Sequence, residues 1–495
     1  MTSLPRPASL LVALSLAPLA TACAGDDSST TDASASATET SGESTTTGSS
    51  GGSESEGTTT DASGSESDSD SGTDSDTGTM NAFPVGGCGL AEYPLLDAAE
   101  MGRIVDWAPD LKFAASDIDT LLAAQGLGSL TPVKSGAQLY KIRYTTQDKG
   151  VMVEATGFIA VPTDLEGELP VAMWTHGTTG FTDKCGPTAT ADGGFAPLLM
   201  AALGVVAVAP DYLGMNGWGP PSGFLHPYIV PEPTAIASLD SLRALQRFAD
   251  GEGPADLKVV PTQQTILWGA SEGGFAALWA DRYAPHYAPE FEIAGVVAAI
   301  PPSDLIGEVG YAMSKVSPAT ALLAPGLLGN ATWYEITNPI SELLAAPFDT
   351  QLPPALMSEC DPGLFNSITS VDQVYTQYAI DAFASMDYES LGVWFCMLEQ
   401  ATLHSAMIEY KEVHPVLIQL GSADNLVSPG PVRADIPVLC GQGYQIQHIE
   451  CEGLGHSDSA LASLPFQKDW ALARLAGEPL DEVCVVNDPV DCSKF

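Results

Sequence analysis

The chain is 495 residues long, and its 62 acidic against 18 basic residues give a formal net charge of −44 at pH 7. This balance excludes nucleic acid as a partner, because phosphate binding depends on clustered Lys and Arg. Residues 24–79 hold 13 acidic residues, no Lys or Arg, and otherwise mostly Ser, Thr, Gly and Ala. Such a segment cannot bury enough apolar surface to offset the entropy of ordering. The sequence therefore predicts a disordered stalk over residues 24–82 and a folded domain over residues 83–495.

The N-terminus has the pattern of an export signal. Residues 8–20 form a mostly apolar run behind a short segment with one arginine, which is typical of a signal peptide and too short to span a bilayer. Small residues then precede Cys23, as in the bacterial lipobox whose cysteine is lipidated, although Leu19 lies one place further from the cysteine than is usual. We predict a signal peptide over residues 1–23, lipidation of Cys23 and display at a bacterial cell envelope. The alternative is cleavage after Ala22 and a freely secreted protein.

The cysteine count fits the same compartment. Besides the predicted lipidation site there are eight cysteines, and an even number in an exported chain predicts up to four disulfides. Short separations favour pairing Cys440 with Cys451 and Cys484 with Cys492. The sequence contains no C-x-x-C pair, which argues against a zinc ribbon and a thioredoxin-like redox site.

The predicted domain begins with a β-hairpin and continues with alternating strands and helices. Residues 140–144 alternate apolar with polar or charged residues, residues 148–150 supply a turn, and residues 151–161 return as a β-rich run. Continuous apolar runs of the kind buried on both faces follow at 171–174, 205–209, 266–268, 293–300 and 416–420. Helical stretches lie at 195–203, 234–248, 275–283 and 460–475. The pattern predicts an α/β fold with a mostly parallel, doubly wound sheet and an antiparallel N-terminal hairpin.

The rhythm of strands and helices breaks over residues 302–413. Leu, Ala and Pro dominate there, and no clear strand pattern is present. A structureless connection of that length is uncommon in a compact domain. We therefore predict a mostly helical cap inserted between two strands of the sheet.

The first chemical motif is Gly269-Ala270-Ser271-Glu272-Gly273. The bare G-x-S-x-G pattern is a weak signal in a chain rich in Gly and Ser. Here a predicted strand precedes it and a helical stretch follows, which is the context of a nucleophile elbow, where glycines permit a turn that projects the serine above the sheet. Ser271 is therefore the predicted nucleophile.

A nucleophilic serine needs a base and an acid that orients the base, in the chain order Ser, Asp or Glu, His for this architecture. Asp424 follows the predicted strand at 416–420, and His456 lies in a glycine-containing loop after the run at 444–449. We predict His456 as the base and Asp424 as its partner. Asp458 is a rival acid, but it is too near the histidine in sequence to come from a strand end.

A turn of small residues follows the strand at 171–174 and places backbone N–H groups toward the elbow. The backbone amides of Thr178 and Glu272 are the predicted oxyanion hole. His176 in the same turn is an alternative base, but we expect it to hydrogen-bond within the turn.

These motifs occur in a fixed order together with three others. The full set is His176-Gly177-Thr178-Thr179-Gly180, Cys185-Gly186-Pro187, Asp211-Tyr212-Leu213-Gly214, His226-Pro227-Tyr228, the G-x-S-x-G elbow, Gly421-Ser422-Ala423-Asp424 and Gly453-Leu454-Gly455-His456. Over residues 85–478 the set resembles the secretory lipase family of α/β hydrolases, which includes the fungal lipase A enzymes. The resemblance implies the α/β-hydrolase fold, a helical cap after the sixth strand, and hydrolysis of carboxylic esters by a triad of Ser271, Asp424 and His456.

Two positions of the elbow depart from many relatives, which have a bulky residue before the serine and Gln after it. This chain has Ala270 and Glu272. A carboxylate beside an oxyanion hole disfavours the developing negative charge unless it points away. The direction of the Glu272 side chain therefore bears on rate and acyl preference.

The leading hypothesis from the sequence is a serine esterase or lipase that acts on a small-molecule or lipid ester. A serine exopeptidase of the same fold is the first alternative, because fold does not fix function. A non-catalytic surface interaction domain is the second. No cofactor or metal is predicted, and contact with a membrane is expected only through the N-terminal lipid anchor. The sequence leaves the oligomeric state and the acyl chain length open.

Overall fold

The computed structural model describes residues 87–361 and 363–495. The predicted signal peptide, the predicted lipidation site Cys23 and the predicted stalk lie outside the described residues, as do residues 83–86 of the predicted domain. Among the described residues, no helix combines the length and the apolar character needed to cross a bilayer.

A nine-stranded sheet forms the centre of the described region. Its strands are β1 (Ile104–Phe113), β2 (Ala137–Asp148), β3 (Val151–Pro162), β4 (Gly167–Thr175), β5 (Val206–Pro210), β6 (Val259–Ala270), β7 (Glu292–Ala299), β8 (Pro415–Gly421) and β9 (Gln445–Cys451). Across the sheet they follow the order β1-β2-β3-β5-β4-β6-β7-β8-β9. The first three pairs in that order are antiparallel, and the rest are parallel. The predicted mostly parallel sheet with an antiparallel N-terminal hairpin is confirmed.

The hairpin between β2 and β3 closes through Lys149 and Gly150, which both have positive φ. The edge strand β1 was not predicted from the sequence. It contains Pro109, is mostly exposed, and its pairing with β2 shifts register twice. A proline and irregular pairing are compatible with a sheet edge, where one side of the strand needs no partner.

Helices cover both faces of the sheet. They are α1 (Ala115–Ala124), α2 (Phe195–Ala202), α3 (Pro231–Arg247), α4 (Glu272–Tyr287), α5 (Leu305–Ser314), α6 (Pro318–Trp333), α7 (Phe348–Ser358), α8 (Gln377–Ser385), α9 (Val393–Ala401), α10 (Pro429–Gly441), α11 (His456–Ala462) and α12 (Leu464–Leu475). In β4, Val171 and Met173 join the core beneath α3, α4 and α10, whereas Ala172 and Trp174 join the core beneath α1, α2 and α12. Burial on both faces explains the continuous apolar runs in the sequence.

The helical insertion between β7 and β8 contains α5 to α9. Because β1 adds a strand at the sheet edge, the insertion follows the seventh strand of this sheet, and not the sixth as the resemblance implied. Two disulfides, Cys88–Cys396 and Cys185–Cys360, join the insertion to segments that precede it in the chain. The insertion is therefore covalently tied to the sheet domain at two points.

Two further disulfides, Cys440–Cys484 and Cys451–Cys492, hold the C-terminal segment. The predicted pairing of Cys440 with Cys451 and of Cys484 with Cys492 was therefore wrong. After α12 the chain runs back alongside β9 in two parallel bridges. This return places each late cysteine opposite an earlier one, so the short separations in sequence were misleading.

Candidate active site

Ser271 lies between the end of β6 and the start of α4. It has φ 61° and ψ −124°, and its backbone N–H donates to the carbonyl oxygen of Ala299. A Cβ at Gly269 would lie 2.1 Å from the Gly273 carbonyl oxygen, and a Cβ at Gly273 would lie 1.9 Å from the Thr175 carbonyl oxygen. Only glycine fits at either position, which is the physical reason for the G-x-S-x-G pattern.

The three residues predicted to form a triad lie together. His456 Nε2 is 2.9 Å from Ser271 Oγ, and His456 Nδ1 is 2.6 Å from Asp424 Oδ2. The histidine is the first residue of α11, directly after Gly455, and its side chain is 11% exposed. These contacts form one continuous chain of hydrogen bonds from the carboxylate to the serine hydroxyl.

Asp424 lies in the loop between β8 and α10, at the carboxyl end of a parallel strand. Its other oxygen, Oδ1, accepts hydrogen bonds from the backbone N–H groups of Leu426 and Val427. These bonds fix the carboxylate plane while Oδ2 faces His456. The rival acid Asp458 is exposed on α11. Asp424 accepts the hydrogen bond from His456 Nδ1.

A buried carboxyl of the insertion supports the same loop. Glu308 on α5 accepts a hydrogen bond of 2.9 Å from the backbone N–H of Ser428, four residues after Asp424. Burial raises the pKa of the Glu308 carboxyl well above its usual value, and the charge of Asp424 raises it further. Glu308 therefore holds the Asp424 loop from the side of the insertion, and burial disfavours a second negative charge beside Asp424.

The turn after β4 carries Thr178 and His176. The Thr178 hydroxyl is 2.8 Å from the Tyr228 hydroxyl. His176 Nδ1 is 2.7 Å from the carbonyl oxygen of Gly177, which agrees with the expected hydrogen bond inside the turn. The ring of His176 also packs on Tyr212, with centroids 4.2 Å apart.

Glu272 is the first residue of α4, so its backbone N–H is one of the groups that a helix leaves without an internal partner. Its side chain is almost fully buried, and Oε1 is 2.8 Å from Nε2 of His226. Glu272 Oε2 has no hydrogen-bond partner among the described residues. The carboxyl group therefore faces a histidine, which answers the question raised by the departure from Gln at this position.

A pocket that is partly open to solvent lies beside Ser271 and Glu272, and its space, solvent included, is about 610 Å³. Most of its lining is apolar and comes from α5 and α6, including Leu305, Ala312, Ala319, Leu322, Leu323 and Leu327. The insertion therefore supplies most of the walls around the serine. An apolar cavity with few polar groups is the usual form of a small-molecule site.

A metal site was not predicted from the sequence. Within residues 87–361 and 363–495 there is no group of three or more His, Cys, Asp or Glu side chains placed to hold a metal ion.

Two residues of the site were not recognised from the sequence. His226 belongs to the His-Pro-Tyr motif, so its position was visible but its contact with Glu272 was not. Glu308 contacts Ser428 across 120 residues of sequence. Because it lies inside the insertion, where no motif marks it, no local signal could have identified it.

Comparison with protein families gives a match to the secretory lipase model over residues 194–318. This segment includes the Ser271 elbow and the start of the insertion. Over this segment the chain is similar to the secretory lipase family. Among curated proteins it is similar to Lipase 6 of Candida albicans, with 24% identity over 57% of this chain and 58% of that protein. The chain spans less than two thirds of the length of the curated lipases that it matches.

Two further proteins extend the comparison. The chain is 33% identical to the Trichothecene C-3 esterase of Fusarium sporotrichioides over 27% of this chain and 28% of that protein. Among solved structures it resembles the rice cell wall degrading esterase LipA from Xanthomonas oryzae, with a TM-score of 0.64, 19% identity, and coverage of 77% of this chain and 100% of that one. A structural likeness at this identity shows the α/β-hydrolase fold of the chain.

Proposed function

We propose that the chain is a carboxylic ester hydrolase that works through a covalent acyl-enzyme on Ser271. The observation that carries the proposal is the hydrogen-bond chain from Asp424 through His456 to Ser271 beside an apolar cavity. The similarity of residues 194–318 to the secretory lipase family supports the same reaction.

In the first half of the reaction His456 Nε2 takes the proton of Ser271 Oγ while Oγ attacks the ester carbonyl carbon. The carbonyl oxygen becomes an oxyanion, which we assign to the backbone N–H groups of Thr178 and Glu272. When the intermediate collapses, His456 gives the proton to the departing alcohol, and the acyl group stays on Ser271.

In the second half a water molecule replaces the alcohol. His456 takes a proton from this water, the resulting hydroxide attacks the acyl carbon, and the same proton then returns to Ser271 Oγ as the acid leaves. Asp424 keeps the Nδ1 proton on the histidine and stabilises the imidazolium that forms in each half. Its two backbone hydrogen bonds hold it in the required plane.

The cavity favours an uncharged ester. Its walls are largely apolar, and the chain as a whole is strongly acidic, so anionic substrates are repelled. The relatives are named as lipases and as an esterase, which leaves the acyl chain length to experiment.

The exopeptidase alternative needs a free carboxylate to hold the ammonium group of its substrate. Glu272 is hydrogen-bonded to a buried histidine, and burial raises the pKa of Glu308 well above its usual value. Glu272 is already partnered by His226, and burial disfavours the charged form of Glu308. These observations favour the ester over the amide as substrate.

Four disulfides and the similarity of residues 194–318 to the secretory lipase family fit an exported protein. Lipidation of Cys23 and attachment to a bacterial cell envelope stay predictions from the sequence.

The proposal is tested by assaying the full chain against p-nitrophenyl esters from acetate to palmitate, together with Ser271→Ala. Ser385→Ala, an exposed serine at the end of α8, is the matched control. We expect turnover in the wild type and the control, and its loss in Ser271→Ala. A maximum at long chains indicates a lipase, and a maximum at short chains indicates an esterase. Ester hydrolysis that survives in Ser271→Ala would contradict the proposal, and preferential cleavage of aminoacyl amides would favour the peptidase.

A further inference from the structure

Two motifs, Asp211-Tyr212 and His226-Pro227-Tyr228, have no part in the proposed reaction, yet their rings lie beside the elbow. The rings of Tyr212 and His226 are stacked, with centroids 5.8 Å apart and planes 12° apart, and Tyr228 lies 6.0 Å from His226 on a tilted plane. All three side chains are buried. Tyr212 has a φ of 68°, a conformation that costs free energy for a residue with a Cβ.

Each ring is tied to a different part of the predicted oxyanion hole. The Tyr212 hydroxyl donates to the carbonyl oxygen of His176, two residues before Thr178. The Tyr228 hydroxyl is hydrogen-bonded to the side chain of Thr178. His226 contacts the side chain of Glu272. One cluster of three rings therefore contacts both segments that carry the predicted oxyanion donors.

The protons of the buried pair can be counted from its contacts. His226 Nδ1 is 2.7 Å from the carbonyl oxygen of Leu213. A carbonyl oxygen only accepts, so Nδ1 carries a proton. The 2.8 Å contact between His226 Nε2 and Glu272 Oε1 then requires one more proton, either on the ring or on the carboxyl group. An imidazolium with a carboxylate and an imidazole with a carboxylic acid both have a total charge of zero.

We propose that His226 is a positioning residue that neutralises Glu272 and, with Tyr212 and Tyr228, fixes both backbone donors of the oxyanion hole. The inference rests on the proposed ester hydrolysis and explains how a glutamate is accommodated directly after the nucleophile. A buried carboxylate without this partner would oppose the negative charge that develops on the substrate oxygen. The pair removes that opposing charge and anchors the first turn of α4.

His226 does not act as a second base. One ring nitrogen is committed to the Leu213 carbonyl and the other to Glu272, so neither is free to take a proton from Ser271. The expected effects of substitution are therefore on kcat through the oxyanion, with little change in the KM of a neutral ester.

The first test compares Glu272→Gln with Glu272→Leu in the full chain. The Gln amide can donate to Nε2 of a neutral His226 and keeps the anchor, whereas Leu cannot. We expect kcat for p-nitrophenyl butyrate to be at least about tenfold lower in Glu272→Leu than in Glu272→Gln. This is less than the loss of about 10²- to 10³-fold that follows the complete removal of an oxyanion donor, because the backbone N–H is displaced and not removed. Equal losses in the two variants would overturn the anchoring role.

The second test uses His226→Phe alone and combined with Glu272→Gln. Phe keeps a ring in the stack but leaves Glu272 without its proton partner. If charge compensation matters, replacing the stranded carboxyl by an amide restores part of the activity, and kcat of the double variant is about three- to tenfold above that of His226→Phe. A double variant no better than His226→Phe would overturn the neutralising role.

His448→Phe is the matched control for the loss of a histidine, because His448 is also fully buried but lies within β9, away from the elbow. It should lower the melting temperature without the change in kcat expected of His226→Phe. If His226→Phe fails to fold, the Glu272 pair of variants still decides the anchoring role.

Melting temperatures separate this inference from the proposed function. A stranded buried carboxyl destabilises the fold whether or not the protein hydrolyses esters, so His226→Phe should melt below the double variant even if no ester is turned over. Absence of Ser271-dependent turnover in the wild type would overturn the proposed function alone. A double variant that melts no higher than His226→Phe would overturn the charge compensation alone.

Discussion

Two histidine–carboxylate pairs adjoin Ser271, and they differ in what the second ring nitrogen faces. In the His456–Asp424 pair that nitrogen faces the serine hydroxyl, and the ring keeps some exposure. In the His226–Glu272 pair it faces a backbone carbonyl, and both side chains are buried. The pair distances are similar, at 2.6 Å and 2.8 Å.

The difference shows that a short contact between a histidine and a carboxyl group does not by itself identify a base. A ring nitrogen that faces a hydroxyl can accept its proton, because the hydroxyl oxygen can then act as a nucleophile. A ring nitrogen that faces a carbonyl must always donate. His456 is therefore suited to proton transfer, and His226 is suited to holding a structure in place.

Replacing each of the two histidines in turn tests whether they have different roles. Replacement of His456 by Ala removes the base, and we expect kcat to fall by about 10⁴-fold or more. His226→Phe should cost far less, because the base remains. Steady-state kinetics on p-nitrophenyl butyrate measure both. A loss in His226→Phe as large as that in His456→Ala would contradict the division of roles.

Asp424→Asn tests the carboxyl side of the same pair. An amide N–H that faces His456 Nδ1 forces the ring proton onto Nε2. A protonated Nε2 cannot accept the proton of Ser271, so kcat should fall by about 10³- to 10⁴-fold. Asp458→Asn is the matched control, since Asp458 is exposed two residues after the histidine. A large loss of kcat in Asp458→Asn, with little in Asp424→Asn, would reverse the assignment of the acid.

Glu308 is a third buried carboxyl near the site, and it supports the Asp424 loop through a backbone N–H and not through a histidine. Glu308→Leu leaves the buried N–H of Ser428 without its acceptor, at a cost of about 1 to 3 kcal/mol of stability. A shift of the loop should also lower kcat by about tenfold. Glu308→Gln keeps an oxygen acceptor and should lose less of both quantities, which kcat and melting temperature measure. Equal effects of Leu and Gln would show that the hydrogen bond to Ser428 is unimportant.

The last prediction concerns stability and not activity. Glu232 is a buried carboxyl that accepts a hydrogen bond from the Tyr93 hydroxyl and has no histidine partner among the described residues. Burial raises the pKa of Glu232 from 4.5 to about 7. Between these values the folded protein holds a proton that the unfolded chain has released, so stability falls as pH rises through this window and levels off above about pH 7.

Glu232→Gln has no titrating group at this position, so folding no longer involves uptake of this proton. Relative to wild type, the variant should gain about 1 to 3 kcal/mol of stability as pH rises through the window. Denaturant unfolding at several pH values measures the difference. A difference between wild type and variant that does not change with pH would show that this carboxyl has no raised pKa.

The parts of the fold that follow local patterns could be predicted from the sequence. The buried strands appear as continuous apolar runs, and the elbow is fixed by the space around Gly269 and Gly273, which leaves no room for a Cβ. The strand ends then place Asp424 and His456 at one edge of the sheet, as parallel strands do. Local sequence was sufficient wherever local sterics or burial decided the structure.

The remaining parts depend on contacts between distant segments. The C-terminal segment pairs its cysteines across β9, so separation in sequence gave the wrong disulfides. The edge strand β1 is mostly exposed and contains Pro109, so it lacks the apolar pattern of a strand. The contact of Glu308 with Ser428 joins the insertion to the sheet domain. No window of sequence contains both partners of such contacts.

The most direct test of the central claim is to locate the covalent adduct formed with a fluorophosphonate probe. The full chain is labelled, digested and analysed by mass spectrometry, beside His456→Ala and Ser271→Ala. The account predicts one adduct on Ser271 in the wild type, much slower labelling in His456→Ala and none in Ser271→Ala. An adduct on another residue, or ester turnover by a protein whose Ser271 stays unlabelled, would contradict it.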